Sequence, residues 1–225
     1  MGIGDGDGMG ISACLITKNE EEALARSLKM ISAYVDEIVI VDGQSEDKTV
    51  EVAREFDAVV IQREFSGSFA IERNSGIERA RNEWVFILDP DETLEPGLLE
   101  SLRDLASSPK YDAYSFLRHD VLPDGTILET PCGHPEIHVR LAKKDRLRYY
   151  GAIHEKAVVS GKIKFIPEAI YHHRGYFEDY PAEKKERFEA IGRNASEDLQ
   201  GLKISSHTLL ARNVKLVFHY FRNML

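Results

Sequence analysis

The chain has 225 residues and a formal net charge of −9. That length can bury a sizeable core, as one large domain or one domain with an appendage. The acidic balance argues against broad nucleic-acid binding through phosphates, no apolar run approaches the length of a bilayer span, and the first residues hold no basic-apolar signal segment.

Residues 1–10 alternate glycine and aspartate and read as a flexible tail. Because they precede the first strand, they do not match the dinucleotide fingerprint. Residues 11–17 predict a strand, which holds Cys14; Cys14 and Cys132 lack ligand spacing, so a buried free thiol and a reducing cytosol are expected. Lys18-Asn19-Glu20 leads into a helix over 21–31, with Asn19 placed as its cap and Leu24, Leu28 and Ile31 forming its apolar face. A second strand, 37–41, ends at Asp42 and is followed by Gly43-Gln44-Ser45. Ser45 is placed to cap a helix running through Phe56, with Glu46 and Asp47 at its positive end. A third strand at 59–61, a loop at Phe65-Ser66-Gly67-Ser68 and a helix over 69–81 come next, the helix carrying Arg73 and Asn74 near its start.

Trp84-Val85-Phe86-Ile87-Leu88 then reads as a strand buried on both faces, and it runs directly into Asp89-Pro90-Asp91-Glu92. Carboxylates are costly to bury unpaired, so they should emerge at the strand end, where a divalent cation or a hydrogen-bonding ligand compensates them. Pro90 holds the pair in a stiff turn. An acidic turn that begins the next helix after Thr93 fits the segment equally well. Strand and helix alternate four times in about ninety residues, the pattern of a mostly parallel, Rossmann-like α/β sheet flanked by helices. Polar clusters follow the first, second and fourth strands, and the topology of such a sheet gathers them on one edge, where open α/β proteins bind ligands.

After a helix over 96–106 the rhythm changes. Residues 111–118 alternate, Pro123-Asp124-Gly125-Thr126 signals a tight turn, and short strands are expected at 137–141, 147–150, 152–159 and 163–166. This half reads as a small antiparallel ribbon, and it carries His134, His138, His154, His172 and His173. From Pro181 the composition turns helical. Residues 207–225 resemble an amphipathic helix with interspersed Arg212, Lys215 and Arg222, suited to packing on the domain, to a homodimer contact, or to peripheral membrane contact.

Several of these pieces together resemble family 2 glycosyltransferases of the GT-A fold: Ile16-Thr17-Lys18-Asn19-Glu20, the run from Val41 to Thr49, Arg73-Asn74-Ser75-Gly76 and Leu88-Asp89-Pro90-Asp91-Glu92, in the family's order. Arg140-Leu141 and Gly151-Ala152-Ile153-His154-Glu155 resemble a branch that includes lipopolysaccharide-core glucosyltransferases. The resemblance implies a GT-A domain over 11–180, with a nucleotide-binding half (11–106) and an acceptor half (107–180), followed by a C-terminal helical extension (181–225). It implies inverting transfer of a sugar from a nucleotide-diphosphate donor, UDP before GDP, to a hydroxyl on a glycan, lipid-linked or other acceptor. The setting it implies is cell-surface glycan or lipopolysaccharide synthesis, in the cytoplasm or at the inner membrane face.

By the same resemblance Asp91 is a direct ligand of Mg²⁺ or Mn²⁺ and Asp89 contacts the metal or the ribose, since hard oxygen ligands suit those cations. Asp42 accepts from the base N–H, Arg73 flanks the base or diphosphate, and Thr17 and Glu20 line the nucleoside pocket. For Ser45, ligand contact and helix capping are equally open. His172 or His173 is placed to complete the metal site. Inversion needs a general base opposite the leaving group. The Glu-Asp pair usual in the family is missing here, and Glu155, then Asp120, takes its place. Arg140 and Arg174 either meet a charged ligand or pair with the acidic surface.

Three other functions compete. Asp89-Pro90-Asp91-Glu92-Thr93-Leu94 fits the nucleophile motif of haloacid-dehalogenase-type phosphohydrolases, but that motif belongs after the first strand, and no Gly-Asp dipeptide follows it here. A nucleotidyltransferase wants a glycine-rich phosphate loop after strand one, and Thr17-Lys18-Asn19-Glu20 has no glycine. A non-catalytic nucleotide-sugar-binding module would keep the pocket and lack turnover.

Overall fold

The computed structural model describes residues 10–108, 110–128, 136–152 and 155–173. Strand and helix alternate through the first half: β1 (Ile11–Thr17), α1 (Glu21–Ile31), β2 (Glu37–Asp42), α2 (Thr49–Glu55), β3 (Val59–Gln62), α3 (Phe69–Arg79) and β4 (Trp84–Ile87). There follow β5 (Glu92–Leu94), α4 (Pro96–Ala106), β6 (Ala113–Val121), β7 (Glu136–Lys143), a single 3₁₀ turn, β8 (Leu147–Tyr150), β9 (Lys156–Val159) and β10 (Ile163–His173).

Among the described residues, eight strands form one mixed sheet in the order β3-β2-β1-β4-β7-β6-β10-β5. β3, β2, β1 and β4 are parallel, with Thr17 beside Asp42 at the carboxyl ends of β1 and β2. β7 runs antiparallel between β4 and β6, while β10 pairs parallel with β6 and antiparallel with β5. The second half is therefore antiparallel structure added to the parallel half, most of it continuing the same sheet. Among the described residues β8 and β9 form a separate antiparallel pair.

Period-two alternation fills both faces of the sheet. Ile11, Ala13, Leu15, Trp84, Phe86 and Leu88 pack with Leu24, Leu28 and Ile31 of α1 and with Leu98 and Leu102 of α4. Cys14, Val85 and Ile87 point the other way, toward Ala70 and Ile77 of α3 and toward Tyr149. β4 is thus buried on both faces, as its sequence predicts. Cys14 is free and buried, and burial pushes its thiol up to about 12, so it is inert at neutral pH. Gly76 lets α3 lie close to the sheet, for a Cβ there would sit 3.4 Å from Val41 Cγ2. Among the described residues no helix is long and apolar enough to cross a membrane.

Four local expectations need correction. Asn19 does not cap α1; it adopts φ 55° and its Oδ1 accepts the Glu46 amide at 2.8 Å. Ser45 does not cap α2, which starts at Thr49; its Oγ accepts the Asn19 amide at 2.8 Å. Both side chains tie two neighbouring loops together, a partnership between distant residues that local pattern does not reveal. The acidic stretch does not lead straight into a helix, because Glu92–Leu94 first adds a strand to β10. β10 also runs past 166 to His173, with a register shift between Ile166 and Ala169. Pro167 lies in that shift, and its missing N–H interrupts the ladder without ending the strand.

At the far end of β2, Glu37 is buried and accepts hydrogen bonds from Ser12 Oγ (2.6 Å), the Arg81 amide (2.7 Å) and Arg81 Nε (2.7 Å). Burial alone would raise its pKa; the bonds from Arg81 and Ser12 outweigh it and hold the carboxyl below its usual value. A depressed pKa contributes stability above the unfolded value, about 4.3 for Glu, and that contribution fades as pH falls through the folded one. Glu37→Gln should lower stability at pH 7 by about 1–3 kcal/mol, with the gap to wild type shrinking in denaturant melts below about pH 4. A gap of the same size at both pH values would refute the linkage.

Candidate active site

Because β2, β1 and β4 run in one direction, their carboxyl ends share an edge, and an open cleft of about 310 Å³ lies along it. Thr17, Lys18 and Glu20 line it from the end of β1, Val41 and Gly43 from β2, and Asp89, Pro90 and Asp91 from β4. The first two loops meet closely: a Cβ on Gly43 would lie 3.4 Å from both Lys18 Cβ and the Thr17 carbonyl oxygen. Phe65, Phe69, Glu72 and Arg73 close one side, with the two phenylalanine rings 5.0 Å apart. From the second half come Arg118, Glu155 and His172.

The three acids after β4 have different fates. Asp89 Oδ1 accepts from Arg73 Nη2 at 2.7 Å and Oδ2 from Arg140 Nη2 at 3.2 Å. Burial opposes its charge, but the two guanidiniums hold its carboxyl far below the usual range. Glu92 is fully buried in its side chain. It accepts from Arg140, from Arg118 Nε at 3.0 Å and from the Asp89 amide at 3.0 Å. Burial, with the nearby Asp89 charge, raises its pKa against the pull of the two arginines. Asp91 lines the cleft as Asp89 does, but its partner is a histidine where those of Asp89 and Glu92 are arginines. Its Oδ2 meets His172 Nε2 at 3.2 Å, and its carbonyl accepts the His173 amide at 2.8 Å. His172 Nδ1 lies 2.8 Å from Asp120 Oδ1. Burial works against an imidazolium here, but the bond to Asp91 and its charge prevail, and His172 titrates above its ordinary value.

Arg73 joins the two halves of the chain. Its Nε donates to Glu155 Oε1 at 2.7 Å, its guanidinium lies 5.5 Å from the Tyr149 ring centroid, and its buried Nη1 has no partner. Next to it, Asn74 brackets the Tyr149 backbone, donating to its carbonyl and accepting from its amide, both at 2.9 Å. That bracket docks β8 on α3.

Of the residues singled out by sequence, Thr17, Glu20, Arg73, Asp89, Asp91, Glu155 and His172 share the cleft. Asp42 and Ser45 do not line it. Asp42 is fully buried and accepts from Ser45 Oγ (2.5 Å), the Ser45 amide (3.0 Å) and Gln62 Nε2 (3.4 Å), so its carboxylate braces the loop from within. His173 is exposed and bonds Thr93 Oγ1 at 2.7 Å, away from the cleft. Asp120 is buried between His172 and Arg118, the latter 3.2 Å away, and does not reach the cleft as a base must. Arg140 pairs with Asp89 and Glu92, the second of its two expected roles. His154, Arg174 and the extension 181–225 lie outside the described residues. The sequence reading missed Arg118, Glu72 and the aromatic pair. Arg118, at the inner end of an alternating strand, offered one signal, because an arginine there implies a carboxylate partner.

Among the described residues no group of three or more His, Cys, Asp and Glu is arranged to hold a metal. Asp91 and His172 nevertheless fit part of a Mg²⁺ or Mn²⁺ shell, one oxygen and one imidazole nitrogen, in the way such cations take one or two protein ligands and complete their shell from phosphates and water.

The sequence pattern described as "Glycosyl transferase family 2" matches residues 12–163. An uncharacterized glycosyltransferase of Rickettsia felis is 28% identical over 181 residues, 73% of this chain and 62% of that protein. A TPR repeat-containing protein of Synechococcus elongatus is 32% identical over 110 residues, 49% of this chain and 27% of its own length. The chain thus spans less than two thirds of either relative. Among solved structures, residues 1–349 of S. aureus TarS superpose with a TM-score of 0.55 at 15% identity, over 89% of this chain and 68% of that one. This likeness is one of fold, the GT-A arrangement. TarS has also been solved with UDP and with UDP-GlcNAc.

The arginine cluster should be the costliest part of the site to disturb. Arg140→Ala leaves Glu92 buried with a lost partner and should destabilise the protein by about 3–5 kcal/mol. Arg148→Ala removes only an exposed pair with Glu78 and should cost less than about 1 kcal/mol. Denaturant melts of the two variants side by side check the contrast; equal losses would contradict it.

Proposed function

The chain belongs to glycosyl transferase family 2, and from that premise we propose that it transfers a sugar, with inversion, from a nucleotide-diphosphate sugar to an acceptor hydroxyl with the help of Mg²⁺ or Mn²⁺. The observation that carries the proposal is the convergence of Asp89, Asp91, Arg73, Thr17 and Glu155 on one cleft at the carboxyl edge of the parallel strands. UDP is preferred over GDP on the likeness to TarS, solved with UDP and UDP-GlcNAc. A glycan or lipid-linked acceptor, the lipopolysaccharide-core branch and a place in cell-surface glycan synthesis rest on the resemblance of sequence motifs alone.

In this reading Asp91 and His172 hold the cation. Such a cation would offset the negative charge that develops on the departing diphosphate. Asp89 serves from behind, keeping Arg73 in place through the 2.7 Å bond. Arg73 Nη1 and Thr17 Oγ1, both buried without a partner at the cleft, are donors suited to diphosphate and nucleoside oxygens. Glu155 takes the proton of the attacking hydroxyl, and its bond to Arg73 sets its direction. A phosphohydrolase would need Asp89 as a nucleophile, whereas both of its oxygens are engaged by arginines.

Two tests follow from this reading. UDP should raise the melting temperature of the wild-type chain when Mn²⁺ is present and have little effect in EDTA. At a hundredfold excess over Kd the stabilisation amounts to about 2.7 kcal/mol. Asp91→Asn should lose the metal-dependent part, and an equal shift in EDTA would remove the metal from the proposal. Glu155→Gln should keep the UDP shift while UDP release from a panel of UDP-sugars falls about 10²–10⁴-fold. Wild-type chain that binds UDP but never releases it from any sugar would favour the non-catalytic module.

A further inference from the structure

Asp120 is buried and does not line the cleft, but it lies beside His172. β10 pairs parallel with β6 so that His172 sits next to Asp120, and antiparallel with β5 so that His172 also faces Glu92. The imidazole is therefore placed by backbone register, with Asp120 Oδ1 2.8 Å from Nδ1 and Asp91 Oδ2 3.2 Å from Nε2. Asp120 is 4% exposed, and Arg118 Nη1 lies 3.2 Å from the same Oδ1, so the carboxylate is held as well as holding. An ionised carboxylate only accepts hydrogen bonds. Its contact with Nδ1 therefore requires the proton on Nδ1, so that when the ring gives up a proton it is Nε2, facing Asp91 in the cleft, that is left bare.

We propose that Asp120 is a positioning residue: it fixes the ring and tautomer of His172 so that Nε2 serves, beside Asp91, as the second protein ligand of the divalent cation. This rests on the metal-dependent reading given above. A carboxylate or carbonyl behind a ligating histidine sets which nitrogen binds and how the ring is turned, and removing it weakens metal affinity about 10–100-fold. Binding of a cation at Nε2 would require the loss of that nitrogen's proton alone, because Nδ1 is already committed to Asp120. Neighbouring features support the same geometry. The His173 amide donates to the Asp91 carbonyl at 2.8 Å, so consecutive residues of β10 grip the acidic turn by backbone and by side chain.

The experiment measures Mn²⁺ affinity of the full chain, from the free-ion electron paramagnetic resonance signal, without and with saturating UDP. Asp120→Ala should weaken Mn²⁺ binding about 10–100-fold, His172→Ala should weaken it at least as much, and the double variant should lose little beyond His172→Ala. Asp120→Asn keeps the shape and an oxygen able to accept from Nδ1, so its loss should be smaller than that of Asp120→Ala; it stands in should the alanine variant not fold. A separate readout is the ¹⁵N spectrum of the His172 ring in metal-free protein. At a pH above the titration of the ring, the neutral imidazole should carry its proton on Nδ1 in wild type, and that preference should disappear in Asp120→Ala, a change that a merely structural role would not produce. Wild-type Nδ1 found bare, unchanged Mn²⁺ affinity in the Asp120 variants, or losses from the two alanine substitutions that simply add would each overturn the inference alone. Wild-type protein that binds no Mn²⁺ with or without UDP would overturn it together with the metal-dependent reading.

Discussion

The contact on which the rest depends is the 2.7 Å bond from Arg73 to Asp89. It joins helix α3 to the end of β4, and through Nε the same guanidinium reaches Glu155 in the second half of the chain. Neither charge is affordable alone at such burial. An arginine with its side chain 9% exposed needs carboxylates, and a carboxylate beside an apolar strand needs donors. Each answers the other, and the cleft is the space left between them.

Behind that pair lies a second layer of charge. Arg140 and Arg118 enclose Glu92, while Asp89 borrows one bond from Arg140. The acidic turn therefore carries less free negative charge than its sequence implies. Asp89 and Glu92 are held by arginines in fixing the turn; Asp89 and Asp91 line the cleft, and Asp91 is the one of the three whose partner is a histidine. An electrostatic site of this kind acts by being arranged before a ligand arrives, since groups already locked in place need no reorganisation.

Sheet continuity makes the arrangement possible. β7 joins β4 on one side and β6 on the other, so a single layer carries residues as distant in sequence as Thr17 and His172 to one edge. Two independent domains facing each other could move apart. Here Arg118, Asp120 and His172 are neighbours by strand register with the turn they support, and Asn74 pins the remaining ribbon to α3 through the Tyr149 backbone.

Local pattern by itself determined the parallel half. The apolar alternation of β1, β2 and β4, the helical period of α1 and the Pro90 turn depend on neighbours within a few residues, and the polar clusters after those strands marked the cleft edge. It also pointed to Asp89, Asp91, Arg73 and Glu155 through their likeness to known motifs. Only the tertiary structure decided which carboxylate faces the cleft and which is spent on an arginine. It placed Asp42 inside its own loop, Ser45 between two loops, and Asp120 behind a histidine. The physical reason is the range of the interactions involved. Strand and helix preferences act along the chain, whereas a buried charge takes whichever opposite charge the sheet brings alongside it, and strand order alone settles that.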